Sequence, residues 1–157
     1  PNQIYASITA PHGLVCAHTG TLVLAGNQTG IDGEIVVNNG TLYLGKIDGT
    51  VKAEIDADVR IVSQNAKVQV TASGTLNKSN IRFDDVYDFC GKLVLPTGKV
   101  EICKKLFIED WENSLPRGTS GATGSGADNI DDVHFSGTGV LFVTQDTAIV
   151  PMVILVR

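Results

Sequence analysis

Aromatic side chains are scarce in this chain of 157 residues: one Trp, three Tyr and five Phe. So few rings leave little material for a sugar-stacking cleft. Cysteine is also sparse. Cys16, Cys90 and Cys103 make an odd number, and none lies in a C-x-x-C pair. That count excludes a conventional disulfide framework and points to reduced thiols in a protein made in a cytoplasm. Such thiols ordinarily serve as small buried apolar groups. Long apolar runs are missing. The longest, Ala148 to Val156, is about half of what a membrane helix requires and is interrupted by Pro151, so no membrane span is expected. The opening PNQIYASITA has neither a basic start nor an apolar stretch, so no secretory leader is expected in it. Positive charge is in deficit, with 12 basic against 17 acidic residues and a net charge of −5. A nucleic-acid partner would call for a basic stripe, and none is present.

What the chain does have is glycine, 17 residues of it, together with abundant Val, Ile and Thr. That composition favours strand over helix. Residues 3–9 alternate, with Ile4, Ala6 and Ile8 on one face, before Pro11-His12-Gly13 breaks the pattern. From 19 to 83 follow short strand-like phrases separated by small or turn-forming residues. Leu42/Leu44, Val51/Ala53/Ile55, Val59/Ile61 and Val68/Val70 are expected to point inward. Lys52, Glu54, Arg60 and Gln69 are expected to point outward. A recurrence of about 17–18 residues, from Thr41 to Val59 and from Thr50 to Lys67, suggests the rounds of a small β-solenoid.

A second topology buries the same residues. Asn39-Gly40, within VVNNGTLYL, is a strong hairpin signal, and VSQNAKV, LVLPTGKVEI and FVTQDTAIV also read as strand–turn–strand. The expected fold class is therefore all-β. It is read as a small β-solenoid-like core with added β-hairpins at 92–103 and 138–150, with an antiparallel β-sandwich as the alternative. One helix is plausible at 104–114, KKLFIEDWENS, although strand is also possible for its first half. Residues 1–112 form the β-rich core domain, and 113–130 a Gly/Ser-rich loop or arm that needs something to hold it, a partner chain being the simplest candidate and a well-packed surface loop the alternative. Residues 131–157 form a C-terminal β-hairpin packing on the core or on a neighbouring subunit.

The phrase Gly-Thr-Leu-x-Leu occurs at 20–24 and again at 40–44. Around it, residues 19–45, TGTLVLAGNQTGIDGEIVVNNGTLYLG, resemble the autotransporter-associated β-strand repeat. Gly20-Thr21-Leu22, Leu24, Gly26-Asn27, Thr29-Gly30, Val37-Asn38, Gly40-Thr41-Leu42 and Leu44-Gly45 match that pattern. The tyrosine of the pattern is missing, and one residue is lost in the middle. Residues 45–72 and 93–101 resemble, more faintly, the β-helical bactofilins, which polymerise end to end. Both resemblances imply β-helical scaffold or surface work rather than catalysis.

No constellation of reactive groups stands out. Cys16 and His18 are two apart and would share a strand face, but a partial burial in a turn is the simpler reading. Two acidic clusters, Asp84/Asp85/Asp88 and Asp128/Asp131/Asp132 with His134, have the oxygen-rich character that suits Ca²⁺ without the spacing of a known loop. Solvated loop charge is the default for both. No catalytic, cofactor or metal site is expected, and the chain is read as a non-enzyme. The expected function is a structural assembly protein, most readily a virion surface component such as a phage capsid cement or decoration protein. It would form homo-oligomers, plausibly trimers, and bind other structural proteins such as a capsid shell. It would be made in the host cytoplasm, with no nucleic-acid or membrane partner. The alternatives are a surface adhesin or receptor-binding β-helix at the cell surface, a small polysaccharide-active β-helix, and a bactofilin-like filament.

Overall fold

The computed structural model describes residues 2–4, 8–84, 90–108 and 112–147. Among them the chain is all-β, without helix. It runs through β1 (Asn2–Ile4), β2 (Thr9–Ala10), β3 (Leu14–Cys16), β4 (Thr21–Leu24), β5 (Gly26–Asn27) and β6 (Gly30–Ile31). Then come β7 (Glu34–Val37), β8 (Gly40–Leu44), β9 (Ala53–Glu54), β10 (Asp58–Ile61), β11 (Ala66–Val70) and β12 (Ile81–Phe83). The last are β13 (Lys92–Val94), β14 (Val100–Cys103), β15 (Leu106–Ile108), β16 (Gly118–Gly121), β17 (Asn129–Ile130), β18 (Phe135–Ser136) and β19 (Val140–Val143).

A first sheet has the order β1-β4-β8-β11-β13-β18 and a second the order β15-β12-β10-β7-β3; every pairing within them is parallel. Shorter ladders join β2 to β6, β5 to β9, and β14-β19-β16-β17. From β3 to β15 the chain visits the second sheet, then the first, then a short ladder or turn, and repeats; after β15 the β16–β17 strands intervene before β18 returns to the first sheet. Neighbours in a sheet are therefore strands laid down on successive returns of the chain to that sheet, each return being one round. Leu22 pairs with Leu42, Leu42 with Val68 and Val68 with Leu93, so partners lie 20, 26 and 25 residues apart. The expected period of 17–18 was too short because it was measured from Thr41, in the first sheet, to Val59, in the second.

The core forms where apolar residues stack in register. Leu42, Val68, Leu93 and Phe135 make one buried row of the first sheet, and Ile35, Val59, Ile81 and Leu106 one of the second. All of the expected inward residues are buried except Val51, which is 36% exposed because β9 begins only at Ala53.

The hairpin signals take a different role. Asn39-Gly40 joins β7 to β8, which belong to different sheets, and LPTGK joins β13 to β14, which do too. Val100–Cys103 pairs instead with Val140–Val143, in parallel. The helix expected at 104–114 is replaced at its start by β15. Leu106 faces the core, while Phe107 lies on the other side beneath the Arg82 guanidinium, 4.4 Å from its ring centre. A strand puts the two neighbours on opposite faces, where a helix would have required one shared face. Residues 109–111, and the last part of the expected C-terminal hairpin from 148 on, lie outside the described residues.

The Gly/Ser-rich stretch is held by its own chain. Strand β16 pairs antiparallel with β19, and β17 pairs parallel with β16. The side chains close the flap: Thr119 Oγ1 donates to Asp128 Oδ2 at 2.8 Å, and Thr123 Oγ1 to Asp132 Oδ2 at 2.6 Å.

Candidate functional site

The residues singled out in the sequence are dispersed by the fold. Cys16 is buried, whereas His18 is exposed and its Nδ1 accepts the Gly20 amide at 3.0 Å. Burial pushes the Cys16 thiol up to about 11, away from thiolate chemistry. Asp84 is buried and pairs with Arg60, whose Nε and Nη2 donate to Oδ2 at 2.8 and 2.6 Å. Asp85 and Asp88 lie outside the described residues. In the second cluster each carboxylate has a local partner. Asp128 and Asp132 bond to the flap threonines. Asp131 accepts the Val133 and His134 amides and faces His134 Nδ1 at 2.7 Å. The acceptors that a cation would require are engaged in holding turns. Among the described residues no group of three or more His, Cys, Asp or Glu is placed to hold a metal ion. Nor is any helix there long and apolar enough to cross a membrane.

The strongest candidate is one that the sequence does not advertise. Glu101 sits in β14 and is fully buried. Its Oε2 accepts the amides of Thr75 and Leu76, both at 3.0 Å, while Oε1 is buried without a hydrogen-bond partner. Burial raises its carboxyl to about 7, against the downward pull of the Leu76, Thr75 and Gly74 amides and of Lys52. Cys103, two residues on and also fully buried, is pushed up to about 12 by burial and by the Glu101 charge.

The turn that Glu101 holds forms one wall of a cleft of about 230 Å³. Gly74, Thr75, Asn77 and Lys78 line one side, and Lys52, Glu54 and Asp56 another. Lys78 and Asp56 are paired at 2.9 Å. Glu101 itself lies behind the wall, not in the lining. A general acid must reach its substrate within hydrogen-bond distance, and this carboxyl faces backbone amides instead. Its perturbed acidity reflects a buried clamp on the turn.

Alternation hides this residue. In VEIC the usual reading puts valine and isoleucine inside, yet Val100 is 54% and Ile102 37% exposed while Glu101 and Cys103 are enclosed. The register with β19 sets this choice, because Glu101 pairs with Leu141 and Cys103 with Val143 on the inward side. Comparison of the chain with protein-family models, with curated proteins and with solved structures returned no match.

Proposed function

We propose that the chain is a three-sided β-solenoid acting as a non-catalytic structural assembly block, a homo-oligomer that decorates or cements the outside of a virus capsid. The observation supporting this reading is the strand order. Successive rounds lie beside one another in parallel, with apolar residues stacked on apolar residues. Each round hydrogen-bonds to the next along its length, so the stack resists bending and presents long fixed faces. Among the described residues the buried carboxyl groups of Asp84 and Glu101 are engaged by the Arg60 guanidinium and by the turn at residues 75–76. The three cysteines are buried and none is joined in a disulfide, in keeping with synthesis in a reducing compartment.

An open-ended filament fits less well. Strand β16 lies antiparallel along β19, occupying the edge that a following copy would need in that ladder. A glycan-binding adhesin would ordinarily present a platform of exposed rings, and among the described residues Phe142 is the one aromatic side chain found among the large exposed apolar groups.

The test is quantitative mass spectrometry of purified virus particles and of cell-envelope fractions from the source culture. The chain should co-purify with particles in fixed proportion to the shell protein. Recovery in the envelope fraction alone would overturn the capsid assignment.

A further inference from the structure

Asn39 is the one asparagine of the chain that glycine follows. It is half-buried at the corner between β7 and β8. Its Oδ1 accepts the Gly40 N–H at 2.8 Å. The side-chain carbonyl is thus folded back over the next peptide nitrogen, and Cγ lies one bond from the oxygen that this nitrogen contacts. Glycine has no Cβ to stand between the two groups.

The backbone around the pair is anchored to the neighbouring rounds. The Asn39 N–H donates to the Cys16 carbonyl at 3.3 Å and the Thr41 N–H to the Gly20 carbonyl at 3.0 Å, both in the preceding round. The Asn38 carbonyl accepts the hydroxyl of Ser63 from the following one. A nitrogen and a carbonyl carbon held side by side in this way have little orientation left to find before they react.

We propose that Asn39 is a self-modification site, at which the folded chain converts its own asparagine to aspartate and isoaspartate. Solvent base removes the Gly40 amide proton, and the nitrogen attacks Asn39 Cγ. The N–Cγ bond forms, the Cγ–Nδ2 bond breaks, and Nδ2 leaves as ammonia with a proton from water. Water then opens the resulting cyclic imide. Cleavage of the new N–Cγ bond gives aspartate. Cleavage between the Gly40 nitrogen and the main-chain carbonyl carbon of Asn39 gives isoaspartate, whose backbone runs through the former side chain and is longer by one atom. The sum is hydrolysis of one amide, with water as the only co-reactant. Either product adds a negative charge to the corner. The longer backbone has little room there, because even a Cβ on Gly40 would strike the carbonyl oxygens of His18 and Gly20. The isoaspartyl form should therefore melt below the aspartyl form.

The experiment holds the full chain in mildly alkaline heavy-oxygen water, once folded and once unfolded in guanidinium, and maps its peptides by mass spectrometry. Residue 39 should gain a labelled carboxyl oxygen ahead of every other asparagine. Conversion in the folded chain should be at least as fast as in the unfolded one, because the corner supplies the approach that a free chain must find by chance. Asn39→Gln would have to close a larger ring, and should remain an amide under the same conditions. A folded chain that keeps Asn39 while the unfolded chain loses it would overturn the proposal, since the corner would then shield the amide. Conversion spread evenly over the asparagines would overturn it as well.

Discussion

Substituting alanine for Gly40 is expected to lower stability by about 3–5 kcal/mol, among the largest losses available to a single methyl group. Gly40 turns the corner between β7 and β8 with φ of +73°. An L-residue in the left-handed region loses about 1–2 kcal/mol on backbone grounds alone. The remainder comes from the neighbouring round. A Cβ at this position would run into the carbonyl oxygens of His18 and Gly20. Those groups cannot retreat freely, because the Gly20 oxygen accepts the Thr41 amide at 3.0 Å. Relief would require the two rounds to part and that bond to weaken. In a domain of this size the melting temperature should fall by about 10 °C or more. Gly98 supplies the control. Its φ is +72°, and a Cβ there would meet nothing within 4 Å. Gly98→Ala should therefore cost only about 1 kcal/mol. Thermal unfolding of both variants by calorimetry isolates the close approach between rounds. Equal losses would mean that the rounds do not touch at this corner.

The second large effect is expected at Glu101. Its carboxyl is raised from an ordinary 4.5 to about 7 by burial. Between those values the folded chain keeps a proton that the unfolded chain has released. Stability from this group is therefore complete below about pH 4.5, declines as pH rises toward 7, and levels off above it. The total decline is about 3 kcal/mol, taking about 1.4 kcal/mol for each pH unit. Glu101→Gln retains a carbonyl acceptor for the Thr75 and Leu76 amides and cannot ionise. Its stability should lack this decline, so the difference between the two proteins should change by about 3 kcal/mol from pH 4.5 to 8. Glu101→Ala leaves two amides and a small void behind, and should be about 3 kcal/mol less stable than the Gln variant at every pH. Urea unfolding across that pH range reads all three. A wild-type profile parallel to that of the Gln variant would refute the buried carboxyl's role.

Much of this arrangement is legible in the alternation of short apolar phrases. Leu42/Leu44, Val59/Ile61 and Val68/Val70 are inward as their spacing demands, because strand geometry fixes the side chains of i and i+2 on one face. Pairing direction is not legible in the same way. Alternation has the same period in parallel and antiparallel ladders, and Asn39-Gly40 serves any corner that requires a positive φ, whether or not a hairpin follows. The inverted alternation of β14, with Val100 and Ile102 outward and Glu101 and Cys103 inward, is hidden for a related reason. Nothing in VEIC signals that its carboxylate will find backbone amides from residues 75 and 76, about one round earlier in the chain. The hold on the Gly-rich stretch spans only nine residues, but its threonines meet their aspartates only once the flap has turned back on itself.

Paired cysteines at outward-facing partners test the stacking most directly. Tyr43 and Gln69 lie side by side on β8 and β11, whereas Val36 and Tyr43, which a hairpin through Asn39-Gly40 would juxtapose, belong to different sheets. Neighbouring strands bring partners within the Cα separation that a disulfide requires. Under mild oxidation Tyr43→Cys with Gln69→Cys should cross-link within one chain, and Val36→Cys with Tyr43→Cys should not. The reverse result, a link at 36–43 and none at 43–69, would contradict the parallel stack.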